Sequence, residues 1–332
     1  MLTISRERSI LIKGVVILMM VWLHLFNGSR TDQCDCLLYA CGEPVAKWLT
    51  NACGPVGFFL LLSGYGLAYT YDKGRLSLYG QARRLFRLYF HYWVVLAVFV
   101  SVGYIVAAEH YPGSWSNMLL NFSGWEYTYN GEMWFLLPYC LVAISSPVLF
   151  KTLDRLGNVI TLLITAILYV IMCYCISRHG SQYLYGNMLL YRPVLFLQFL
   201  YPFSVGAVFY RMRTKLYSGL RSEVVMLFIV LLVGIVSILG NALTYMVYVP
   251  LLVYLLSQLT FPKWLEAVLT ELGRKSMVIW MVHTWYCYYL FQPQVYSLRY
   301  PLVIMGGVIL ASYLTAIPVM WVSKKCLEYL RI

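Results

Sequence analysis

Charged residues are scarce in this chain of 332 residues. Asp, Glu, Lys and Arg make up only 11% of it and hydrophobic residues 61%, fractions that exclude an ordinary soluble globular domain. Internal repeats, low-complexity tracts and long polar linkers are also missing. We therefore expect one integral-membrane domain over residues 1–332.

Little chain is left for a soluble domain because apolar runs occupy most of it. A membrane-spanning helix needs roughly 20 mostly apolar residues. Ten stretches fit this description: 10–26, 53–72, 88–107, 132–150, 158–177, 193–210, 223–239, 243–259, 274–291 and 300–322. The sequence predicts an all-α, polytopic transmembrane bundle of about ten helices.

Acidic residues are few as well, 13 against 25 Lys and Arg, which gives a net charge of +12. In a membrane protein, Lys and Arg mainly mark the cytoplasmic segments. If the N-terminus is cytoplasmic, 20 of the 25 fall in inner segments and five in outer ones. This asymmetry predicts that both termini are cytoplasmic, and it argues against a nucleic-acid partner.

The N-terminus has basic residues followed by an apolar core, as a signal peptide does. No small-residue cleavage site follows His24-Leu25-Phe26-Asn27. We interpret this segment as a retained first helix.

Four of the nine cysteines, Cys34, Cys36, Cys41 and Cys53, lie in or beside the first outer loop. An oxidising compartment would permit one disulfide there, with a pairing that the spacing does not determine. We expect no metal site, because no His lies nearby.

Ionisable residues inside apolar spans are costly and therefore mark candidate sites. Lys13 and His24 stand eleven residues apart, which places them within roughly 20° on one helix face and about 16 Å apart along the axis. A neutral imidazole at His24 could take a proton from an attacking sugar hydroxyl. The alternatives are a Lys13 that snorkels to lipid phosphates and a His24 that only bonds a neighbouring helix.

An arginine cluster, Arg83, Arg84 and Arg87, opens the third span from the cytoplasmic side. Arg84, Arg87 and His91 follow the spacing i, i+3, i+7 and so share a helix face. The cluster fits either a topological anchor or a clamp for the phosphates of a nucleotide-like donor.

Five further residues are candidate polar groups of a site: Ser63, His91, Glu132, Trp134 and His283. Ser63 belongs to a stretch rich in small residues, 54–66, which favours close helix packing or a locally opened helix. Glu132 could orient His24, bind a sugar hydroxyl or simply face water. His283 fits a structural hydrogen bond or a catalytic role.

These residues resemble the motifs of the membrane-bound acyltransferase 3 family, the polysaccharide O-acetyltransferases and their relatives. The family's first helix has a basic residue and then His eleven positions later, matched by Lys13 and His24. Four more motifs follow in order: a Phe-Phe stretch ending in Ser-Gly-aromatic (58–65), an Arg-rich run (83–92), Trp134-Phe135-Leu136, and Leu-Gly-x-x-Ser with a later His (272–283).

The resemblance implies an O-acetyltransferase of the bacterial inner membrane. It would move acetyl from cytoplasmic acetyl-CoA, a donor substrate and not a bound cofactor, to a hydroxyl of an extracytoplasmic glycan, cell-surface polysaccharide or lipid-linked saccharide. His24 would be the catalytic base, and Lys13 with the arginine cluster would bind the donor.

Two departures qualify the resemblance. Lys13 stands where the family usually has Arg, which keeps the charge but loses the guanidinium fork, and Ile10 stands where many members have Asp. A transporter or exporter of a glycan or its precursor is the alternative function, because it also needs polar groups inside a bundle. Besides donor and acceptor, membrane lipids are the expected partners.

Overall fold

The computed structural model describes residues 3–217 and 219–332, which form a helical bundle. In chain order the helices are α1 (Arg6–Phe26), α2 (Val45–Thr50), α3 (Pro55–Asp72), α4 (Leu78–Val106), α5 (Trp115–Ser123), α6 (Leu136–His179), α7 (Met188–Arg211), α8 (Ser222–Leu239), α9 (Thr244–Gln258), α10 (Lys263–Thr284), α11 (Gln292–Tyr296) and α12 (Pro301–Tyr329). Two strands, β1 (Tyr39–Ala40) and β2 (Glu43–Pro44), form an antiparallel hairpin between α1 and α2.

Local sequence signals explain where several helices begin. Ser5 and Ser77 accept hydrogen bonds from the backbone N–H of Arg8 and Gly80, and so cap α1 and α4. Pro55 and Pro301 occupy the first turns of α3 and α12, where the missing N–H costs nothing. The helix that carries the arginine cluster begins at Leu78, ten residues before the predicted span, so the cluster lies within α4.

Seven helical segments in the described ranges are long and apolar enough to cross a membrane, so the chain has the character of a multi-pass membrane protein. One of them, Gly131–Leu184, combines the fourth and fifth predicted stretches. Helix α9 has only 15 residues, and α10 carries charged residues over its first half. Each predicted stretch coincides with a helix or part of one, while the count of ten spans and the cytoplasmic termini stay predictions.

Helix α6 is broken at Gly157, whose φ of 79° and ψ of 170° leave the helical region. Leu149 and Leu168 line one cavity of about 140 Å³, together with α7 residues from Leu200 to Ala207. In a straight helix they would be about 28 Å apart, whereas the α7 side of the cavity is only about 10 Å long. The two halves of α6 therefore fold back on each other, as the separate stretches 132–150 and 158–177 predict.

Backbone-to-backbone contact joins α1 with α10. A Cβ atom on Gly14 would overlap the carbonyl oxygen of Leu269 and stand 2.7 Å from its carbon, and one on Gly273 would overlap Ile10 in the same way. His24 and His283, which follow Gly14 and Gly273 by ten residues each, are also in contact. The two helices therefore run parallel.

Helices α3 and α7 pack equally closely, since a Cβ atom on Gly64 would overlap the carbonyl oxygen of Phe203. The stretch 54–66 thus serves close packing at Gly64, within a helix that is unbroken from Pro55 to Asp72.

The four cysteines Cys34, Cys36, Cys41 and Cys53 are free in the described part of the chain. The Sγ atoms of Cys34 and Cys36 stand 3.6 Å apart. Burial and the Cys36 thiol raise the pKa of Cys34 to about 12, which keeps this thiol protonated at neutral pH.

Candidate active site

A cavity of about 1000 Å³, partly open to the surface, lies among α1, α3, α4, α6, α7, α9 and α10. On α1 its lining runs from Ser9 to Asn27, a rise of about 27 Å along the helix. This length approaches the roughly 30 Å of a bilayer's hydrocarbon core. One cavity therefore connects the two ends of the first helix.

Most of the predicted site residues line this cavity: Lys13, His24, Ser63, Arg84, Arg87, His91, Glu132 and Trp134. His283 lies directly behind His24 and is fully buried. Arg83 does not join them, because it is exposed on the outside of α4 and donates to the backbone oxygen of Arg331 at 3.2 Å.

The centre of one part of the cavity is His24, which has partners on both ring nitrogens. Its Nδ1 lies 2.8 Å from Nε2 of His283, and its Nε2 lies 2.9 Å from a carboxylate oxygen of Glu132. Helix α1 supplies His24, α10 supplies His283, and the short 3-10 helix Gly131–Phe135 supplies Glu132.

The hydrogen bonds restrict where protons sit in this cluster. Nδ1 of His283 lies 2.8 Å from the carbonyl oxygen of Trp280, which can only accept, so this nitrogen carries a hydrogen. In the neutral ring Nε2 of His283 is then an acceptor, and Nδ1 of His24 donates to it. The 2.9 Å contact between His24 Nε2 and the Glu132 carboxyl group is then a hydrogen bond only when a shared proton lies between them.

Side chains of α10 and its π-helical continuation, Trp285–Tyr289, fix the backbone around Glu132. Asn130, which is 1% exposed, accepts from the Glu132 N–H at 3.1 Å and from the Thr284 hydroxyl at 2.9 Å. The Gly131 N–H donates to the Tyr289 hydroxyl at 2.7 Å. Asn130 was not predicted, because a single polar residue in a loop gives no periodic signal.

The last turn of α1 is held in a similar way. Tyr296 donates to the carbonyl oxygen of Leu25 at 2.8 Å, and Tyr288 donates to that of His24. These carbonyls have no partner within their own helix. The hydroxyls therefore satisfy the helix end that presents the His24 ring.

The other part of the cavity is cationic. Lys13, Arg84 and Arg87 line it, and among the described lining residues Glu132 is the only carboxylate. Arg84 donates to the Tyr139 hydroxyl at 2.8 Å, and that hydroxyl lies 3.2 Å from Ser63 Oγ. Tyr139, which was not predicted, thus links the arginine to the polar residue of α3.

His91 and Trp134 have local partners. Nδ1 of His91 lies 2.7 Å from the carbonyl oxygen of Arg87, which leaves Nε2 as its remaining ring nitrogen. The ring of Trp134 packs 5.9 Å from that of Phe199. Both line the cavity without joining the hydrogen-bonded cluster around His24.

A multi-pass helical bundle with a polar site in a cavity among its helices is the architecture of an integral-membrane enzyme or transporter. The family model Acyl_transf_3, described as an acyltransferase domain, matches residues 8–321. The chain therefore belongs to the acyltransferase 3 family and is a membrane acyltransferase. No curated protein matches the chain, and no solved structure does.

Proposed function

We propose that the protein transfers an acetyl group from cytoplasmic acetyl-CoA to a hydroxyl of an extracytoplasmic glycan. The acceptor would be a cell-surface polysaccharide or a lipid-linked saccharide, and the enzyme would lie in the bacterial inner membrane. One observation carries the proposal: a single cavity contains, at one end, cations that form no ion pair among the described residues and, at the other, the His24 and Glu132 pair.

Three cations at the cytoplasmic end suit an anionic donor. Under the expected topology, Lys13, Arg84 and Arg87 lie on the cytoplasmic side of His24. Guanidinium groups bind phosphate oxygens with two parallel hydrogen bonds, and an ammonium group adds a compact positive charge. The phosphates of acetyl-CoA would bind here, and the thioester arm would extend along the cavity toward His24.

His24 and Glu132 suit the proton transfer that the reaction requires. When the shared proton is absent, Nε2 and the carboxylate are two acceptors 2.9 Å apart that repel each other. A sugar hydroxyl relieves this repulsion by giving up its proton as its oxygen attacks the thioester carbon. The new C–O bond replaces the C–S bond, and the proton passes to the leaving thiolate.

The remaining members of the cluster keep the base in position. His283 accepts from His24 Nδ1 and so holds the ring in the tautomer that presents Nε2 to the cavity. Glu132 stabilises the imidazolium that forms during attack, as a carboxylate beside a catalytic histidine does.

The length of the cavity is the observation that favours the alternative function, export of a glycan or its precursor. A transport pathway must also reach both membrane surfaces, and polar groups near the midplane would line it.

The test is acetyl transfer from radiolabelled acetyl-CoA to cell-envelope glycan in membranes that contain the intact protein, His24→Ala or His179→Ala. His179 is an exposed histidine at the outer end of α6 and serves as the matched control. We expect label with the intact protein and the control, and a loss of about 100-fold or more with His24→Ala. Equal label in all three would exclude His24 as the base, and no label in any would favour the exporter.

A further inference from the structure

Arg192 is a buried arginine of α7 that the proposed reaction does not use. Its exposed fraction is 2%, and it lies in the first turns of the helix at the predicted outer side. No ion pair found in the described ranges includes it. A buried guanidinium is costly unless its N–H groups are hydrogen-bonded. Nε of Arg192 has no partner among the described residues, so the partners of Nη1 and Nη2 indicate why it is there.

Three backbone carbonyl groups accept hydrogen bonds from Arg192. Nη1 donates to Trp134 at 2.8 Å. Nη2 donates to Gly124 at 3.0 Å and to Trp125 at 2.5 Å. The guanidinium carbon also lies 5.3 Å from the centre of the Tyr127 ring, within range of a cation–π interaction.

These carbonyls belong to the two ends of one loop, residues 124–134, which we call the Glu132 loop. Gly124 and Trp125 follow the end of α5, and Trp134 lies in the 3-10 helix that contains Glu132. The loop has little regular structure of its own, so its inward carbonyls need partners from elsewhere. Arginine offers five N–H donors in a rigid fork, so Nη1 and Nη2 bond the two ends of the loop at once, whereas lysine has three donors on a single nitrogen.

We infer that Arg192 is a positioning residue for the transfer reaction: by holding both ends of the Glu132 loop, it keeps the Glu132 carboxylate in contact with His24. The inference rests on the proposed function. The donor-binding cations lie on α1 and α4, outside this loop, so Arg192 should affect the rate of transfer and leave donor binding unchanged. Arg192 itself does not line the cavity and touches no reacting group.

The experiment measures the initial rate of label transfer from radiolabelled acetyl-CoA to envelope glycan over a range of acetyl-CoA concentrations. It compares, in membranes with equal amounts of protein, the intact chain, Arg192→Gln, Arg192→Lys, Glu132→Gln and the double variant Arg192→Gln/Glu132→Gln. Arg178→Gln is the matched control, because Arg178 is an exposed arginine at the predicted outer end of α6.

We expect Arg192→Gln to lower kcat by roughly 100-fold, since a displacement of about 1 Å in a reacting group has this effect, with KM for acetyl-CoA unchanged. The kcat of Arg192→Lys should lie between those of the intact chain and Arg192→Gln, because lysine keeps the charge and bonds fewer carbonyls. In the Glu132→Gln background, the second substitution should lower the rate by no more than about threefold, because two residues that act together are not additive.

Three results would overturn the inference in a protein that does transfer label. The first is an Arg192→Gln variant with unchanged kcat and KM, and the second is one with a raised KM and an unchanged kcat. The third is an equal loss of rate in the Glu132 and Glu132→Gln backgrounds, which a purely structural role would produce. If Arg192→Gln does not accumulate in the membrane, Arg192→Lys decides on the same readouts. An intact chain that transfers no label would refute the proposed function instead.

Discussion

The contact between α1 and α10 provides the most direct test of how packing controls the site. Gly14 and Gly273 let the two backbones touch, and His24 and His283 stand ten residues further along the same helices. Replacing Gly14 by Ala adds one methyl group at the closest point. We expect this change to lower both the stability and the transfer rate of the protein.

The structure sets the size of the effect. The added Cβ would overlap the carbonyl oxygen of Leu269 and approach its carbon to 2.7 Å, whereas ordinary Cβ contacts begin near 3.4 Å. Both sides of this contact are backbone, so the helices must separate by on the order of 1 Å, at a cost of about 1–3 kcal/mol. A hydrogen bond of 2.8 Å between His24 and His283 that lengthens by that amount is largely lost.

The assay combines the melting temperature of the detergent-solubilised protein with acetyl transfer at matched protein amounts. Gly306→Ala, in α12, is the control, because a Cβ there meets nothing within 4 Å. It should leave both readouts unchanged or raise stability slightly, since Ala is the better helix former. A Gly14→Ala protein that melts and reacts like Gly306→Ala would refute the packing argument.

Three further predictions concern the donor end, the cluster and the fold. Arg84→Gln should raise KM for acetyl-CoA by about tenfold, as expected when a charged hydrogen bond worth roughly 1.5 kcal/mol is lost. KM for acetyl-pantetheine should not rise in this variant. Arg83→Gln should change neither of the two KM values. His283→Phe should lower the transfer rate by roughly 10- to 100-fold, because it leaves the buried His24 N–H without an acceptor at a cost of about 1–3 kcal/mol. His283→Gln retains an acceptor, so equal rates in the two variants would contradict this prediction. Gly157→Ala should destabilise the protein by about 1–3 kcal/mol in a thermal melt, because its backbone conformation is essentially restricted to glycine.

Local patterns in the sequence predict the helices and part of the site. An apolar run long enough to cross a bilayer can be recognised without knowledge of the rest of the chain, so the predicted stretches coincide with helices. His24 and Arg84 are recognisable for the same reason, since an ionisable residue in or beside an apolar span is anomalous in its own neighbourhood. Their placement in one cavity is a finding of the structure, while their chemical roles stay proposals.

Other site residues have no local signal. Asn130, Tyr139 and Arg192 look like ordinary loop, aromatic and outer-side residues, and only their partners distinguish them. Arg83 and Arg84 are adjacent and chemically identical, yet helical geometry turns one toward Arg331 and the other into the cavity. The gap between the predicted stretches 132–150 and 158–177 indicates two helices, but only the backbone conformation of Gly157 shows where the chain turns back.

The sequence alone predicts a membrane bundle with most Lys and Arg residues on one side, because hydrophobicity and charge are properties of the individual residues. It also determined the candidate base, since His24 is polar where its neighbours are apolar. Tertiary structure decided which groups act on that base. Glu132 and His283 are far from His24 in the chain, and they reach it only in the folded protein, where Arg192 bonds both ends of the Glu132 loop and α1 and α10 meet at two glycines.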